Sequence, residues 1–150
     1  MKDKFKFAYM DVASRFAELS HATRAKVGAI VVKDDRIISI GYNGMPSGWE
    51  NECEVEGRSR PEVLHAEANA ITKLARSSES SEGATMFVTH SPCIECAKLI
   101  VQSGIPAVYY KSRYGAAKGC GVEFLLESGI NIEPLTYDSS LGIIDTSVND

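Results

Sequence analysis

Apolar residues at Phe5, Tyr9, Val12, Phe16 and Leu19 recur at spacings of four, three, four and three. That period predicts an N-terminal helix ending near Ser20, with this stripe in the core. The period then changes. Residues 27–32 are a continuous, β-branched apolar run, Lys33-Asp34-Asp35-Arg36 is polar, and Ile37-Ile38-Ser39-Ile40 is apolar again, which is the pattern of a hairpin. Gly41-Tyr42-Asn43-Gly44-Met45-Pro46-Ser47-Gly48 and the polar stretch on to Arg60 read as loop. Pro61 suits a first helical turn, and Leu64, Ala68, Ile71 and Ala75 predict a buried stripe through to Arg76. Beyond a serine-rich break, residues 85–89 read as strand, 93–103 as a helix closed by Gly104, 107–111 as strand, 121–128 as a helix stopped by Gly129, and 130–132 as strand. Strands alternating with helices pair in parallel. The expected fold is α/β: a mixed five-stranded sheet with an antiparallel first hairpin and three parallel last strands, and helices on both faces.

The chain of 150 residues is 44% hydrophobic and 24% charged, the size and composition of one domain, with a polar tail over residues 136–150. Sixteen Lys and Arg against twenty Asp and Glu give a net charge of −4 and a pI near 5.4. A broad electrostatic grip on a nucleic-acid strand is therefore not expected. The first ten residues alternate Lys with Phe and contain no signal-peptide core, and no run approaches the roughly 18 apolar residues of a membrane span. A cytoplasmic location without membrane contact is expected. Four clustered cysteines, Cys53, Cys93, Cys96 and Cys120, then read as metal ligands, redox thiols or small buried apolar groups rather than as a disulfide framework.

His65 lies where one helix begins, and Cys93 and Cys96 open the next, after a Ser91-Pro92 turn. An i, i+3 pair can turn both sulfurs to one ion, and the positive end of a helix favours the thiolates that bind metal. One nitrogen and two sulfurs suit zinc. Three protein ligands also leave a fourth position for water, as hydrolytic sites do and closed structural sites do not. Glu67, two residues after His65, is the candidate proton carrier beside that water.

His65-Ala66-Glu67, 24 further residues (68–91) and Pro92-Cys93-Ile94-Glu95-Cys96 match the H-x-E…P-C-x-x-C signature of zinc nucleobase deaminases. Four segments, over roughly residues 20–135, narrow this to a resemblance to the deoxycytidylate (dCMP) deaminases. They are Thr23-Arg24-Ala25-Lys26-Val27-Gly28-Ala29-Ile30, the loop from Gly41 to Gly48, His65-Ala66-Glu67-Ala68-Asn69-Ala70-Ile71, and Ser91-Pro92-Cys93-Ile94-Glu95-Cys96-Ala97-Lys98-Leu99-Ile100. The resemblance implies a three-layer cytidine-deaminase-like fold and zinc-assisted conversion of dCMP to dUMP and ammonia, which supplies thymidylate synthesis. It implies Glu67 as the proton carrier, with the Ala66 N–H on the ring carbonyl and the Ser91 carbonyl on the amine. It further implies Asn43 on the sugar 3′-hydroxyl and Tyr114 against the base, with Arg24 and Lys26 as candidates for the 5′-phosphate. Gly41, Tyr42, Asn43 and Gly44 are implied as an effector loop, activated by dCTP and inhibited by dTTP with Mg2+ on the triphosphate, in a homohexamer. Lys73 and Arg76 are loose candidates for holding that triphosphate.

Other readings stand beside this one. Cys93 and Cys96 could be a thioredoxin-like dithiol, which leaves His65 and Glu67 without a role. Cys53 or Cys120 could close a structural zinc site, or Cys53 could serve a second zinc. The same motif serves tRNA adenosine deaminases, and an inactive zinc-binding module is a different class altogether. His21 and His90 are read as ordinary hydrogen-bonding residues, Cys120 as a buried thiol, and Asn69 as a partner of the effector loop.

Overall fold

The computed structural model describes residues 1–113, 120–138 and 142–143. Tyr114 lies outside the described residues. Helix α1 (Asp3–Ala17) precedes β1 (Gly28–Lys33) and β2 (Arg36–Tyr42), then a small hairpin of β3 (Glu54–Val55) and β4 (Arg58–Ser59). The chain continues through α2 (Ala66–Leu74), β5 (Thr85–His90), α3 (Ile94–Gln102), β6 (Ala107–Ser112), α4 (Val122–Glu127) and β7 (Asn131–Pro134), and β8 (Tyr137–Asp138) pairs with β9 (Gly142–Ile143).

The main sheet has the order β2-β1-β5-β6-β7. β1 pairs antiparallel with β2, and β5, β6 and β7 run parallel, as the sequence pattern predicts; β1 also pairs antiparallel with β5. Alternation along the buried strands divides the core between two faces. Ile30, Val32, Phe87 and Tyr109 pack with Phe7, Met10 and Ala13 of α1. Their neighbours Ala29, Val31, Met86, Val88 and Val108 pack with Ala70, Ala97, Ile100 and Leu125 of α2, α3 and α4. The result is three layers. Among the described residues no helix is long and apolar enough to cross a membrane.

Several boundaries differ from the expectation, each for a physical reason. The buried face of α1 is Phe7, Met10, Ala13 and Ala17, whereas Phe5 and Leu19 are 48% and 47% exposed. The cause is the close approach of β1: a Cβ on Gly28 would run into the Ala13 carbonyl and the Ala17 backbone nitrogen. Small residues must face the sheet there, and the larger ones move to the rim. Helix α2 begins at Ala66 rather than Pro61, and Ala66, Glu67, Ala70 and Leu74 form its buried side instead of Leu64, Ala68, Ile71 and Ala75. An ionisable residue occupies part of the core face, so hydropathy places the stripe wrongly. The loop after β2 contains the β3–β4 hairpin, turned at Glu56 and Gly57 with φ of 52° and 75°, the signature of a two-residue primed turn. Part of the polar tail pairs as β8 and β9, and Cys120 is half-buried rather than buried.

Gly41 belongs to β2 and is buried. A Cβ there would collide with the Ala66 carbonyl and the Ala70 backbone nitrogen, so β2 lies directly on the first turns of α2. Gly41→Ala is expected to destabilise the protein by about 1–3 kcal/mol, the usual cost of overpacking, read as a lower midpoint in urea with an unchanged slope.

Candidate active site

Both metal-binding segments end in the same local geometry. His65 is the N-cap of α2 and Cys93 the N-cap of α3, each with extended backbone (ψ 156° and 170°). His65 is thus not helical, and the rule that i and i+2 diverge on a helix does not separate it from Glu67. Cys96, the third residue of α3, completes the cluster, and the ligand atoms of His65, Cys93 and Cys96 lie within 4.8 Å of one another. His65 Nδ1 is 3.5 Å from Cys93 Sγ and 3.4 Å from Cys96 Sγ. Tetrahedral zinc with Zn–S of about 2.3 Å and Zn–N of about 2.0–2.1 Å would hold N and S about 3.6 Å apart. The residues present fit zinc in donor type and spacing. Neither Cys53 nor Cys120 joins the cluster among the described residues, which leaves an open three-ligand set.

The electrostatics of the cluster suit a cation. A hydrogen bond from Cys96 holds the Cys93 thiol well below the usual thiol range, against the cost of burial and with help from His65. The same bond, together with burial, holds the Cys96 thiol far above it. A divalent ion binds the thiolate form and would displace the thiol proton. Glu67 is 4% exposed. Burial pushes its carboxyl up to about 7, against the opposing effects of the α2 backbone N–H and the His65 ring. A carboxyl poised there can both take and give a proton near neutrality.

His65, Glu67 and Cys93 line a cavity of about 570 Å3, together with Arg24, Asn43, Arg60, Ala66, His90 and Ser91. That volume is in the range of small-molecule sites. Residues 3–112 match the family described as "Cytidine and deoxycytidylate deaminase zinc-binding region". This chain belongs to the cytidine and deoxycytidylate deaminase family. Deoxycytidylate deaminase of Enterobacteria phage T4 is 33% identical, over 82% of this chain and 86% of that one. The Homo sapiens deoxycytidylate deaminase is 40% identical, over 69% of this chain and 62% of its own length. The crystal structure of dCMP deaminase from cyanophage S-TIM5 in complex with dCMP and dUMP superposes with a TM-score of 0.86 at 47% identity, covering 90% of this chain and 99% of that one.

As a member of this deaminase family, the chain brings most of the residues selected from sequence to one place. Ala66 and Ser91 are buried in the cavity wall beside the cluster. Arg24 lines the cavity; Lys26 is exposed and is not among the lining residues. Asn43 is more constrained than its loop position suggests. Its Nδ2 donates to the Ala25 carbonyl at 2.8 Å and its Oδ1 accepts from the Val27 N–H at 2.9 Å, so it ties the Arg24-bearing segment to the end of β2. Asn69 Nδ2 donates to the Tyr42 carbonyl at 3.0 Å, the partnership expected from sequence.

A second cavity, of about 460 Å3, lies on the other side of Asn43 and is lined by Tyr42, Gly44, Trp49, Lys73 and Arg76 among others. Asn43 lines both cavities. Lys73 Nζ donates to the Ile40 carbonyl at 2.7 Å and lies 5.9 Å from the centroid of the Tyr42 ring. Gly44 exchanges two backbone hydrogen bonds with Leu64, at 3.1 and 2.8 Å, so the loop is joined to the residue before His65. With nothing within 4 Å of its would-be Cβ, Gly44 is open, whereas Gly41 is packed closely against α2. Sequence reasoning missed Arg60 and His90 in the first cavity. Arg60 belongs to no motif, and His90, read as an ordinary hydrogen-bonding residue, lies at the end of β5 where it reaches the cavity wall.

Proposed function

We propose that this chain converts dCMP and water to dUMP and ammonia. The reading is carried by one observation: a buried Glu67 beside an open His65, Cys93 and Cys96 cluster at zinc spacing, facing a nucleotide-sized cavity. Its support is likeness to proteins named as dCMP deaminases. His65, Cys93 and Cys96 would hold zinc, which would supply the Lewis acidity that makes a water acidic near pH 7. Glu67 takes one proton from the attacking water as its oxygen bonds to C4 of the cytosine ring and gives it to N3, then takes the second proton from the new C4 hydroxyl and gives it to the departing amine. The C4–N bond breaks, and the ring is left as uracil. The Ala66 N–H, at a helix start where N–H groups have no intrahelical partner, holds the ring carbonyl, and the Ser91 carbonyl accepts from the amine. Asn43 takes the sugar 3′-hydroxyl and Arg24 attracts the 5′-phosphate.

In the same proposal the second cavity receives a deoxynucleoside triphosphate with Mg2+ on its phosphates, dCTP activating and dTTP inhibiting, within a homohexamer. Lys73 and Arg76 supply the positive charge. A ligand there moves Tyr42 and Gly44. Those residues are continuous with Asn43, which lines the substrate cavity, and Gly44 is bridged to the segment entering His65. Couplings of this kind amount to about 1–3 kcal/mol, or 5–150-fold in affinity.

Incubation of the zinc-loaded protein with dCMP, dCTP, deoxycytidine and CMP, following loss of cytosine absorbance, tests both parts. The expected result is turnover of dCMP above the other three, with dCTP tightening dCMP binding by the same factor as dCMP tightens dCTP. Flat dCMP kinetics in saturating dCTP and dTTP would remove the effector site, and no turnover of any of the four would remove the reaction.

A further inference from the structure

The substrate cavity contains a cation whose hydrogen bonding is incomplete. Arg60 follows the β3–β4 hairpin and is fixed by its own N–H, which donates to the Cys53 carbonyl at 2.8 Å. Its Nη2 donates to Glu52 Oε2 at 3.2 Å. Its Nε is the buried side-chain polar atom without a hydrogen-bond partner among the described residues. Such a donor is costly to leave unmade and rare in native proteins. The guanidinium is built to donate from Nε and one Nη together, in a fork that matches the paired oxygens of a phosphate, and here half of that fork is idle. Glu52 is a weak holder, because its side chain is 68% exposed, and pairs of that kind contribute about 0–1 kcal/mol.

Resting on the dCMP reading above, we propose that Arg60 is the residue that makes this site specific for a nucleotide 5′-monophosphate, with Glu52 as a resident counter-ion that the phosphate displaces. The balance of charge in the cavity supports the exchange. Glu54 is already engaged by the N–H groups of Thr23 and Arg24, at 2.8 and 3.2 Å, which hold its carboxyl below the usual range. Glu67 stands with the metal ligands. The remaining fixed charges on the wall are Arg24 and Arg60, and a phosphate monoester carries about −1.5 to −2 near pH 7. Releasing Glu52 lets the guanidinium turn until Nε and one Nη donate to two phosphate oxygens. A nucleoside cannot drive that exchange and leaves the Nε unsatisfied. Arg60 is thus a substrate-selecting residue supplied by a hairpin of four strand residues.

The test measures dUMP and deoxyuridine binding by calorimetry, and kcat/KM for dCMP and deoxycytidine, in zinc-loaded wild type, Arg60→Ala, Arg60→Lys and Glu52→Gln. Arg60→Ala is expected to weaken dUMP binding about 50-fold relative to deoxyuridine, the loss of charge-assisted bonds, and to lower the dCMP to deoxycytidine preference by the same factor. Arg60→Lys should recover only part of this, because an ammonium keeps the charge without the fork. Glu52→Gln should tighten dUMP binding about 2–5-fold, an exposed pair's share. Equal losses for nucleotide and nucleoside in both Arg60 variants would make the residue a structural strut and overturn the inference. So would weaker dUMP binding in Glu52→Gln. A wild type that binds dUMP but shows no dependence on Arg60 refutes this assignment alone, whereas a wild type that neither binds dUMP nor turns over dCMP refutes the reaction itself.

Discussion

Glu67→Gln is expected to lower kcat for dCMP by about 10⁴-fold, the upper range for loss of a general acid and base, with zinc content unchanged. Glutamine keeps the shape of the side chain and its hydrogen-bonding reach but can neither accept the water's proton nor deliver one to N3 or the amine. The position is 4% exposed, and its carboxyl is pushed up to about 7 by burial. A neutral amide therefore removes the cost of burying charge, and stability should not fall below that of the wild type. Retained activity with bound zinc in this variant would mean that another group moves the proton. Unchanged zinc with kcat lost and KM for dCMP little altered is the split expected of a group that acts in the transition state.

Cys96→Ala should have a second large effect, on metal rather than on proton transfer. Even groups that merely orient a ligand cost 10–100-fold in metal affinity when removed, so loss of a direct sulfur ligand should exceed about 100-fold. Zinc per chain after dialysis against a weak chelator should drop from one to near zero, and turnover should drop with it. The helix should survive, because α3 is anchored by the buried Ala97 and Ile100. Stoichiometric zinc in Cys96→Ala would show that the ion sits elsewhere.

What the sequence disclosed, it disclosed where local pattern and local geometry coincide. The His65-Ala66-Glu67 and Pro92-Cys93-Ile94-Glu95-Cys96 segments each sit at a helix start, where capping fixes backbone direction within a few residues, so the meeting of His65, Cys93 and Cys96 was legible from their spacing and motif, with Cys53 and Cys120 left open as a fourth ligand. The β1–β2 hairpin was legible too, since Asp34 and Asp35 occupy the turn with φ of 51° and 59°. Helix faces were not. The sheet side of α1 is decided by how closely the backbone of Gly28 approaches Ala13 and Ala17, a contact between segments that periodicity does not see. On α2 the core face includes Glu67, so the feature that makes the site chemically useful is also the one that hides the face. Arg60 shows the third kind of gap. A lone arginine beside a hairpin of two-residue strands has no pattern, and its meaning comes only from an unpaired Nε and a shared cavity.

One stoichiometry tests zinc-dependent deamination most directly. Zinc-loaded protein given dCMP should release one ammonia for each dUMP formed, and chelator-stripped protein should release none until zinc is restored. A zinc-loaded protein that leaves dCMP intact, or a rate that does not change when the metal is removed, would contradict it.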